Sequence, residues 1–151
     1  MDKIRLKIAT PERIVLEGEM EQISIPTQLG EITILPDHVP LISNIKPGVI
    51  EARQDGNVVP MAISGGFVEF HDNELVILAD TAERAEEIDV ERAEQARKRA
   101  EQLKQDQRKS LDETQFASVI SNIEKQLARI KVAKKYNPKS TRGISLGNNQ
   151  K

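Results

Sequence analysis

The sequence predicts a β-sandwich or barrel of antiparallel strands followed by two helices, and two observations lead to that prediction. Before residue 80 the chain consists of short β-branched runs separated by clusters of Gly, Pro, Asn and Asp. Many short strands without helical runs between them favour an antiparallel sandwich or barrel over a parallel α/β sheet. Charged helix-forming residues dominate from 83 to 109 instead, so a second structural unit is expected there.

The strand region opens with strict alternation of apolar and charged residues over 4–8, IRLKI, which is typical of a strand with one wet face. Two segments predict hairpin turns, QDGN at 54–57 and HDNE at 71–74, because Gly, Asn and Asp tolerate the backbone of tight turns. Further strands are predicted at QISIP, EITIL, GVIEA, VVPMAI, FVEF and ELVILA.

After Asp80 the apolar period becomes that of a helix. Asp89 is a good N-cap for a first helix, whose apolar stripe is thin and made of small residues. A polar connector follows from 104 to 109, and Asp112 with Gln115 resembles a capping box that opens a second helix. The stripes comprise Ala93, Ala96, Ala100 and Leu103 in the first helix, and Phe116, Val119, Ile120, Ile123, Leu127 and Ile130 in the second.

The second helix is predicted to end at Asn137-Pro138, so residues 137–151 are expected to form a mobile tail. Neither helix hides its stripe alone, and the pair is expected to form a hairpin that packs on itself, on the sandwich or on another protein. Burying six large apolar side chains is worth roughly 10 kcal/mol before entropy is subtracted. Because the facing alanines offer little to bury against, the hairpin is predicted to be only marginally preferred.

Composition argues against several classes of partner. A net charge of −2 gives no sequence-wide basic field, and three Phe, one Tyr and no Trp give no platform for stacking bases, so a nucleic acid partner is not expected. The absence of Cys excludes disulfides and thiolate metal sites. The N-terminus has no apolar stretch as long as that of a signal peptide, and no segment has enough apolar residues to span a membrane. The chain is therefore expected to be soluble.

The usual signatures of catalysis are missing. The sequence contains no GxxxxGK[ST] loop, GxGxxG fingerprint, HExxH or GxSxG elbow. His38 and His71 lie in separate predicted loops and are expected to be solvated, and Ser64-Gly65-Gly66 is expected to be a tight bend between strands. No catalytic residue and no metal ligand is therefore predicted.

Arginines near the start of the first helix suggest an anion site. Arg92 and Arg99 are two helical turns apart, so both guanidinium groups lie on one face. If the second helix folds back antiparallel, Lys125 and Arg129 converge on the same region. Three guanidinium groups and one ammonium would then face a polyphosphate.

The competing interpretation is a solvated charged face, held by i,i+4 pairs such as Glu94 with Lys98. Such pairs are common on exposed helices and imply no ligand. Periodicity alone leaves both interpretations open.

Three segments together resemble a known family. LPDHVPLIS, ISGGFVEF with NELVILADTAE, and IDVERA followed by RIKVA are similar to the epsilon subunit of the bacterial rotary ATP synthase, and the likeness runs in order over 3–134. The resemblance implies a ten-stranded antiparallel β-sandwich over 1–84 and a helical hairpin over 85–136. It also implies a non-catalytic central-stalk subunit that joins the gamma subunit to the c-subunit ring and couples proton flow to ATP synthesis.

The loop LGEITILPDHVP is implied to be a contact region, with Glu31 facing the c ring and His38 facing gamma. The common family pattern has glycines where this chain has Thr33 and Asp37. The alpha and beta subunits of the catalytic head are further implied partners. The resemblance also implies a peripheral location on the cytoplasmic face of the bacterial cell membrane, reached through partners, and no required cofactor.

In several members of that family the hairpin is a brake: folded it permits turnover, and extended beside gamma it inhibits ATP hydrolysis. Some members hold the folded form with ATP through the motif Ile/Leu-Asp-x-x-Arg-Ala, which IDVERA at 88–93 matches in full. A second-helix arginine of those members is Lys125 here, which keeps a charge and loses a bidentate fork. The resemblance implies an adenine side of Glu83, Ile88, Asp89 and Ala93, and a phosphate side of Arg92, Arg99, Lys125 and Arg129.

The favoured interpretation is therefore a non-catalytic stalk subunit with an ATP-sensing hairpin, for which ATP is a regulatory ligand. An alternative of another class is a free-standing nucleotide-binding sensor that uses the sandwich only as a scaffold. A small hydrolase that uses the acidic cluster lacks any activated nucleophile.

Overall fold

The computed structural model of this chain describes residues 2–136, and the predicted tail at 137–151 lies outside them. Within the described range ten β-strands precede a short 3-10 turn and two α-helices. The strands are β1 Ile4–Ala9, β2 Ile14–Met20, β3 Gln22–Thr27, β4 Gly30–Ile34, β5 Leu41–Ile45, β6 Gly48–Gln54, β7 Asn57–Ile63, β8 Gly66–His71, β9 Glu74–Ala79 and β10 Ala82–Arg84.

All ten strands belong to one sheet, in the order β10-β7-β6-β3-β5-β8-β9-β1-β2, with β4 paired to β3 beside this path. β2 and β6 are far apart in that order yet contact each other, because the sheet folds back into two layers. The apolar residues of the alternating run 4–8 lie in the core between the layers, and its charged residues lie outside. The predicted ten-stranded sandwich followed by two helices is confirmed.

One pairing departs from the antiparallel prediction, because β1 and β9 run parallel, with Leu6 opposite Leu75. Tight hairpins impose antiparallel pairing only on strands that are consecutive in the chain. The sequence analysis, which predicted strands from short β-branched runs, missed β2, β5 and β10. Acidic residues and a glycine interrupt β2, and β10 is only three residues long.

Both predicted hairpin turns are confirmed. Asp55 and Gly56 have φ values of 49° and 78°, and Asp72 and Asn73 have φ values of 49° and 58°. Two consecutive residues with positive φ are the mark of a two-residue type I′ turn. The turns join β6 to β7 and β8 to β9.

The helices are α1 Val90–Asp106 and α2 Glu113–Tyr136, preceded by a 3-10 turn at Ala85–Glu87. The Asp89 carboxylate accepts a hydrogen bond from the Arg92 amide at 3.1 Å, as predicted for an N-cap. The predicted capping box of α2 is also present. The connector, however, begins later than the predicted residue 104, because α1 continues to Asp106, where the Gln102 amide donates to the Asp106 carboxylate.

The packing face of α2 differs from the predicted stripe of large residues. Of that stripe only Val119 is buried, and Leu127 is 48% exposed. Small side chains let the helix approach the sheet closely, so the face against the sandwich uses them. The apolar cluster at this contact consists mostly of small residues and contains Ala62, Ala85, Ile88, Ala128, Val132 and Ala133.

α1 packs chiefly against α2, so the two form the predicted hairpin, with α2 in the middle. Ala93 and Ala100 of α1 are buried at this contact, whereas Leu103 at its far end is exposed. No helix among residues 2–136 is long and apolar enough to cross a membrane.

We expect Gly66→Ala to lower the free energy of unfolding by about 2 kcal/mol more than Gly30→Ala does. Both glycines have positive φ, but an added Cβ at Gly66 would lie 2.1 Å from the Leu78 carbonyl oxygen, whereas at Gly30 it meets nothing within 4 Å. Urea unfolding of the two variants measures the difference. Equal losses would mean that backbone strain alone makes glycine necessary at Gly66.

Candidate functional site

A cleft of about 580 Å³ lies where the hairpin meets one end of the sandwich. Its walls come from the β1–β2 turn, the segment 80–89 and both helices. Acidic residues and Arg13 line the sandwich side, and four cations line the helical side. The five cationic residues of the lining are Arg13, Arg92, Arg99, Lys125 and Arg129.

The folded hairpin brings together the basic residues that the sequence singled out. Arg92 and Arg99 reach the cleft from α1, and Lys125 and Arg129 reach it from α2. The condition set by the sequence, that the second helix folds back on the first, is therefore met. A set of cations from two helices can converge only while those helices are packed together.

The residues predicted for the adenine side divide into two groups. Glu83 and Asp89 line the cleft. Ile88 and Ala93 do not line it and are buried, Ile88 within the apolar cluster under α2. One carboxylate oxygen of Asp89 is engaged by the Arg92 amide, so this residue also fixes the start of α1.

Two of the five cations are already paired. The Arg129 guanidinium donates to both oxygens of Glu83, with Nε to Oε2 at 2.7 Å and Nη2 to Oε1 at 3.2 Å. The Arg13 guanidinium donates to Glu87 at 2.7 Å. These pairs cross from the sandwich to α2 and to the 3-10 turn, so they hold the walls of the cleft in place.

The other three cations, Arg92, Arg99 and Lys125, have no side-chain hydrogen bond or ion pair with any residue in 2–136. Like charges that share a cleft repel each other, and an anion relieves that repulsion. Three unpaired cations around one cleft therefore make it a candidate anion site, with residues from two helices.

The competing solvated-face interpretation receives partial support. An i,i+4 pair does form on α1, between Arg97 and Glu101 at 3.1 Å. Glu94 makes its direct ion pair with Lys134 of α2 at 2.9 Å, and the predicted partner Lys98 acts on Glu94 only through its charge. A hydrogen bond from the Lys134 ammonium holds the pKa of Glu94 below its usual value. This pair ties the helices together on the side away from the cleft.

Glu87 is the centre of a small network at the root of the hairpin. Its carboxylate accepts from the Arg84 amide at 2.9 Å and from the Arg13 guanidinium, while the Arg84 guanidinium donates to the Val15 carbonyl at 2.8 Å. Burial by itself raises the pKa of Glu87, but these hydrogen bonds outweigh it and hold the pKa below its ordinary 4.5. Arg13 was missed by sequence analysis, because no local pattern links it to residues more than 70 positions away.

The two predicted contact residues lie in β4 and in the loop between β4 and β5. Glu31 is exposed on β4. His38 is half-buried, with its ring edge-on to Phe70 at 5.9 Å between centroids and its Nδ1 2.7 Å from the Val39 carbonyl oxygen. The structure does not bring Glu31 or His38 to the cleft, whose lining includes neither.

The loop before His38 keeps the backbone shape that a glycine would give. Asp37 has a φ of 64°. Its amide donates to the Asn73 side chain at 2.6 Å, and the Asn73 amide group donates back to the Asp37 carboxylate at 2.8 Å. Aspartate tolerates left-handed backbone better than most residues, so Asp37 can take this conformation without a glycine.

An exposed apolar surface, formed by Ile42, Phe67 and Leu78, lies on neighbouring strands β5, β8 and β9. Phe67 is opposite Leu78 and is 60% exposed. Sequence analysis missed this surface, although strand alternation could have found it, because Val68 and Phe70 are buried and Phe67 must then point outward. An apolar surface on neighbouring strands is a candidate for a contact with another protein.

Residues 3–85 match the family model for the ATP synthase delta/epsilon chain β-sandwich domain. The ATP synthase epsilon chain of Herpetosiphon aurantiacus is 45% identical over 131 residues, which cover 87% of this chain and 94% of that relative. This chain belongs to the ATP synthase epsilon chain family. The epsilon chain of Moorella thermoacetica is 41% identical over 134 residues, covering 88% and 98% of the two chains.

Solved structures agree with membership of the epsilon chain family. A chain in the mitochondrial ATP synthase OSCP/F1/c-ring structure of Euglena gracilis matches with a TM-score of 0.72 and 26% identity, covering 87% of this chain and 81% of that one. A chain in the central stalk and c-ring structure of Tetrahymena thermophila ATP synthase shares the fold, with a TM-score of 0.60 and 20% identity, covering 87% and 97%. An epsilon chain is a subunit of the ATP synthase complex and not a catalyst alone.

We expect Glu87→Gln to destabilise this epsilon-family chain at neutral pH by less than about 1 kcal/mol, because the network is partly exposed. The folded-state pKa of Glu87 is lowered, so its stabilisation is present above pH 4.5 and is lost as pH falls through the folded pKa. Urea unfolding of wild type and variant between pH 7 and pH 3 measures this. Glu86→Gln, next to the network, is the control, and a Glu87→Gln difference that persists in acid would contradict the assignment.

Proposed function

We propose that this chain is the epsilon subunit of a bacterial ATP synthase central stalk, and that its hairpin senses ATP and restrains ATP hydrolysis. The stalk role is supported by membership of the epsilon chain family and by the likeness to a chain in an assembly that contains the F1 head and the c ring. The subunit transmits rotation between the c ring and gamma, and it makes no bond itself. It is peripheral to the membrane, on the cytoplasmic face, and is held there by its partners.

The sandwich carries the proposed contacts with the rotor. Leu29 is fully exposed beside Glu31 at the β3–β4 hairpin, and together they offer an apolar and an acidic contact for the c ring. His38 and the exposed apolar surface of Ile42, Phe67 and Leu78 are proposed to contact gamma. An apolar centre with a polar rim is the usual composition of a stable protein interface.

The hairpin is the proposed inhibitory element. Its longer helix, α2, has 24 residues and spans about 36 Å. In the folded form this length lies along the sandwich, and in an extended form it would reach the alpha and beta subunits of the head beside gamma. The restraint on hydrolysis would therefore depend on how often α2 leaves the sandwich.

The single observation that carries the ATP proposal is the cleft with three unpaired cations, Arg92, Arg99 and Lys125. Its volume of about 580 Å³ is within the range of about 300–1,000 Å³ that small-molecule sites occupy. We propose that these cations bind the phosphates and that Asp89 and Glu83 accept hydrogen bonds from the adenine amino group. ATP carries more charge than ADP and is preferred for that reason.

ATP would favour the folded hairpin because the arginines of α1 and the lysine of α2 face a common ligand only when the helices are packed. A ligand that binds one conformer better shifts the population towards it. High ATP would then keep the hairpin folded and the enzyme active, and low ATP would let it extend and stop hydrolysis.

We expect calorimetric titration of the isolated chain to detect ATP binding that exceeds ADP binding, and Arg92→Ala to weaken it by about 10- to 100-fold, the value of one charged hydrogen bond. Arg97→Ala is the matched control, because Arg97 is on the same helix and pairs with Glu101 instead of lining the cleft. Unchanged affinity in Arg92→Ala would contradict the site. The absence of heat at millimolar ATP would leave the stalk role and remove the sensing role.

The stalk role predicts that Phe67→Glu reduces co-purification with the gamma subunit at least tenfold, because a carboxylate in an apolar contact must be desolvated. Val58→Glu is the control, since Val58 is an exposed apolar residue on a strand outside that surface. Co-purification of Phe67→Glu at the wild-type level would place the gamma contact elsewhere. A wild-type chain that never co-purifies with gamma or the head would favour the free-standing nucleotide sensor.

A further inference from the structure

Two contacts between α2 and the sandwich differ in kind. The first is the cluster of small apolar residues around Ala128 and Val132. The second is the pair of Glu83 on β10 with Arg129 on α2, whose side chains are 26% and 17% exposed. Alanines bury little area and are tolerant of sliding, whereas a two-pronged ion pair has one preferred geometry.

Hydrogen bonds within α2 hold Arg129 in position for its pair with Glu83. The Arg129 Nη1 donates to the Gln126 side-chain oxygen at 2.8 Å, and the Gln126 amide group donates to Asn122 at 3.0 Å. Gln126 is only 5% exposed. The guanidinium therefore has its donors satisfied on two sides and its rotamer fixed, which reduces the entropy lost when it binds Glu83.

Other ion pairs of the hairpin have different consequences for opening. The pair of Lys134 with Glu94 joins the two helices to each other, and the pair of Arg13 with Glu87 joins the 3-10 turn to the sandwich. Both can persist if the hairpin lifts as a unit after Glu87. The pair of Glu83 with Arg129 cannot, because one partner stays on β10 while the other moves with α2.

The chain has a place at which such lifting can begin. Ile88 and Asp89, between the 3-10 turn and α1, have extended backbone, with φ, ψ of −91°, 125° and −87°, 104°. Extended residues between two helical segments lack the repeating hydrogen bonds that stiffen a helix. The Arg13–Glu87 pair fixes the segment just before this point.

We propose that Glu83 and Arg129 form a latch that holds the hairpin on the sandwich in the absence of nucleotide. The latch rests on the proposed function only in that the folded hairpin is the permissive form of the subunit. The Glu83 carboxylate accepts hydrogen bonds from the Arg129 guanidinium, as the oxygens of a phosphate would. Arg129 can therefore bind the phosphates of a nucleotide only when it leaves Glu83. ATP further stabilises a hairpin that is already folded.

Hydrogen exchange of the full chain without nucleotide tests the latch. In Glu83→Gln we expect the amides of 123–136 to exchange about tenfold faster than in wild type, because the half-buried guanidinium loses its counter-charge. Lys134→Gln is the matched control, since it removes an ion pair of α2 that does not reach the sandwich. The reversed pair, Glu83→Arg with Arg129→Glu, is expected to recover protection to within about threefold of wild type.

Three results would overturn the latch. The first is unchanged α2 exchange in Glu83→Gln, and the second is an equal acceleration in Lys134→Gln. The third is an equal acceleration of the strands β1 and β9, which would mean that Glu83 stabilises the sandwich instead of the hairpin. Because no nucleotide is present, a failure to bind ATP does not alter this result, and a failed latch leaves the ATP titration to stand alone.

Discussion

The position of α2 on the sandwich is the constraint on which the rest of the helical unit depends. α2 packs on the sheet with one face and on α1 with another, so the position of α1 depends chiefly on α2. At its first residue, Val90, α1 also packs on the apolar cluster under α2. A shift of α2 along the sheet would separate Lys125 and Arg129 from the acidic residues of the segment 80–89, and the cleft would no longer exist as one site.

Charge and packing act at different ranges in this arrangement. Ala128 and Ala133 set how closely the helix approaches the sheet, and at that distance Glu83 and Arg129 meet with short hydrogen bonds. Arg92, Arg99 and Lys125 also line the cleft, and within residues 2–136 none of the three has an ion-pair partner. The basic character of the site therefore has a simple origin. The fold pairs Arg13 and Arg129 with carboxylates and leaves the other cations of the cleft unpaired.

Local features of the sequence predicted what depends on neighbours in the chain. The alternating run 4–8, the two hairpin turns and the Asp89 cap were all foreseen, because each is decided within a few residues. The parallel pairing of β1 with β9 was not, since periodicity says which side of a strand is wet and nothing about a distant partner. The sequence analysis expected the stripe of large apolar residues to be the buried face of α2. The helix lies close to the sheet, however, and packs there with Ala128, Val132 and Ala133 instead.

The candidate site was predictable to a similar extent. The seven-residue spacing predicted that Arg92 and Arg99 share one face, and both line the cleft. Of the IDVERA motif, Asp89 and Arg92 line the cleft, whereas Ile88 and Ala93 are buried outside its lining. The engagement of Arg129 by Glu83 depends on the distance between β10 and α2, which only tertiary packing fixes. Arg13 gave no signal because it enters the cleft from the opposite end of the chain.

The parallel pairing of β1 with β9 also governs how the chain is made. β1 leaves the ribosome well before its partner β9, which ends at Ala79, so the edge of β1 that faces away from β2 stays without β9 until then. Pairing across so long a separation closes a large loop and is slow. The sandwich is thus completed late in synthesis, and the hairpin, which follows it in the chain, acquires a surface to dock on only after the part that anchors it is whole.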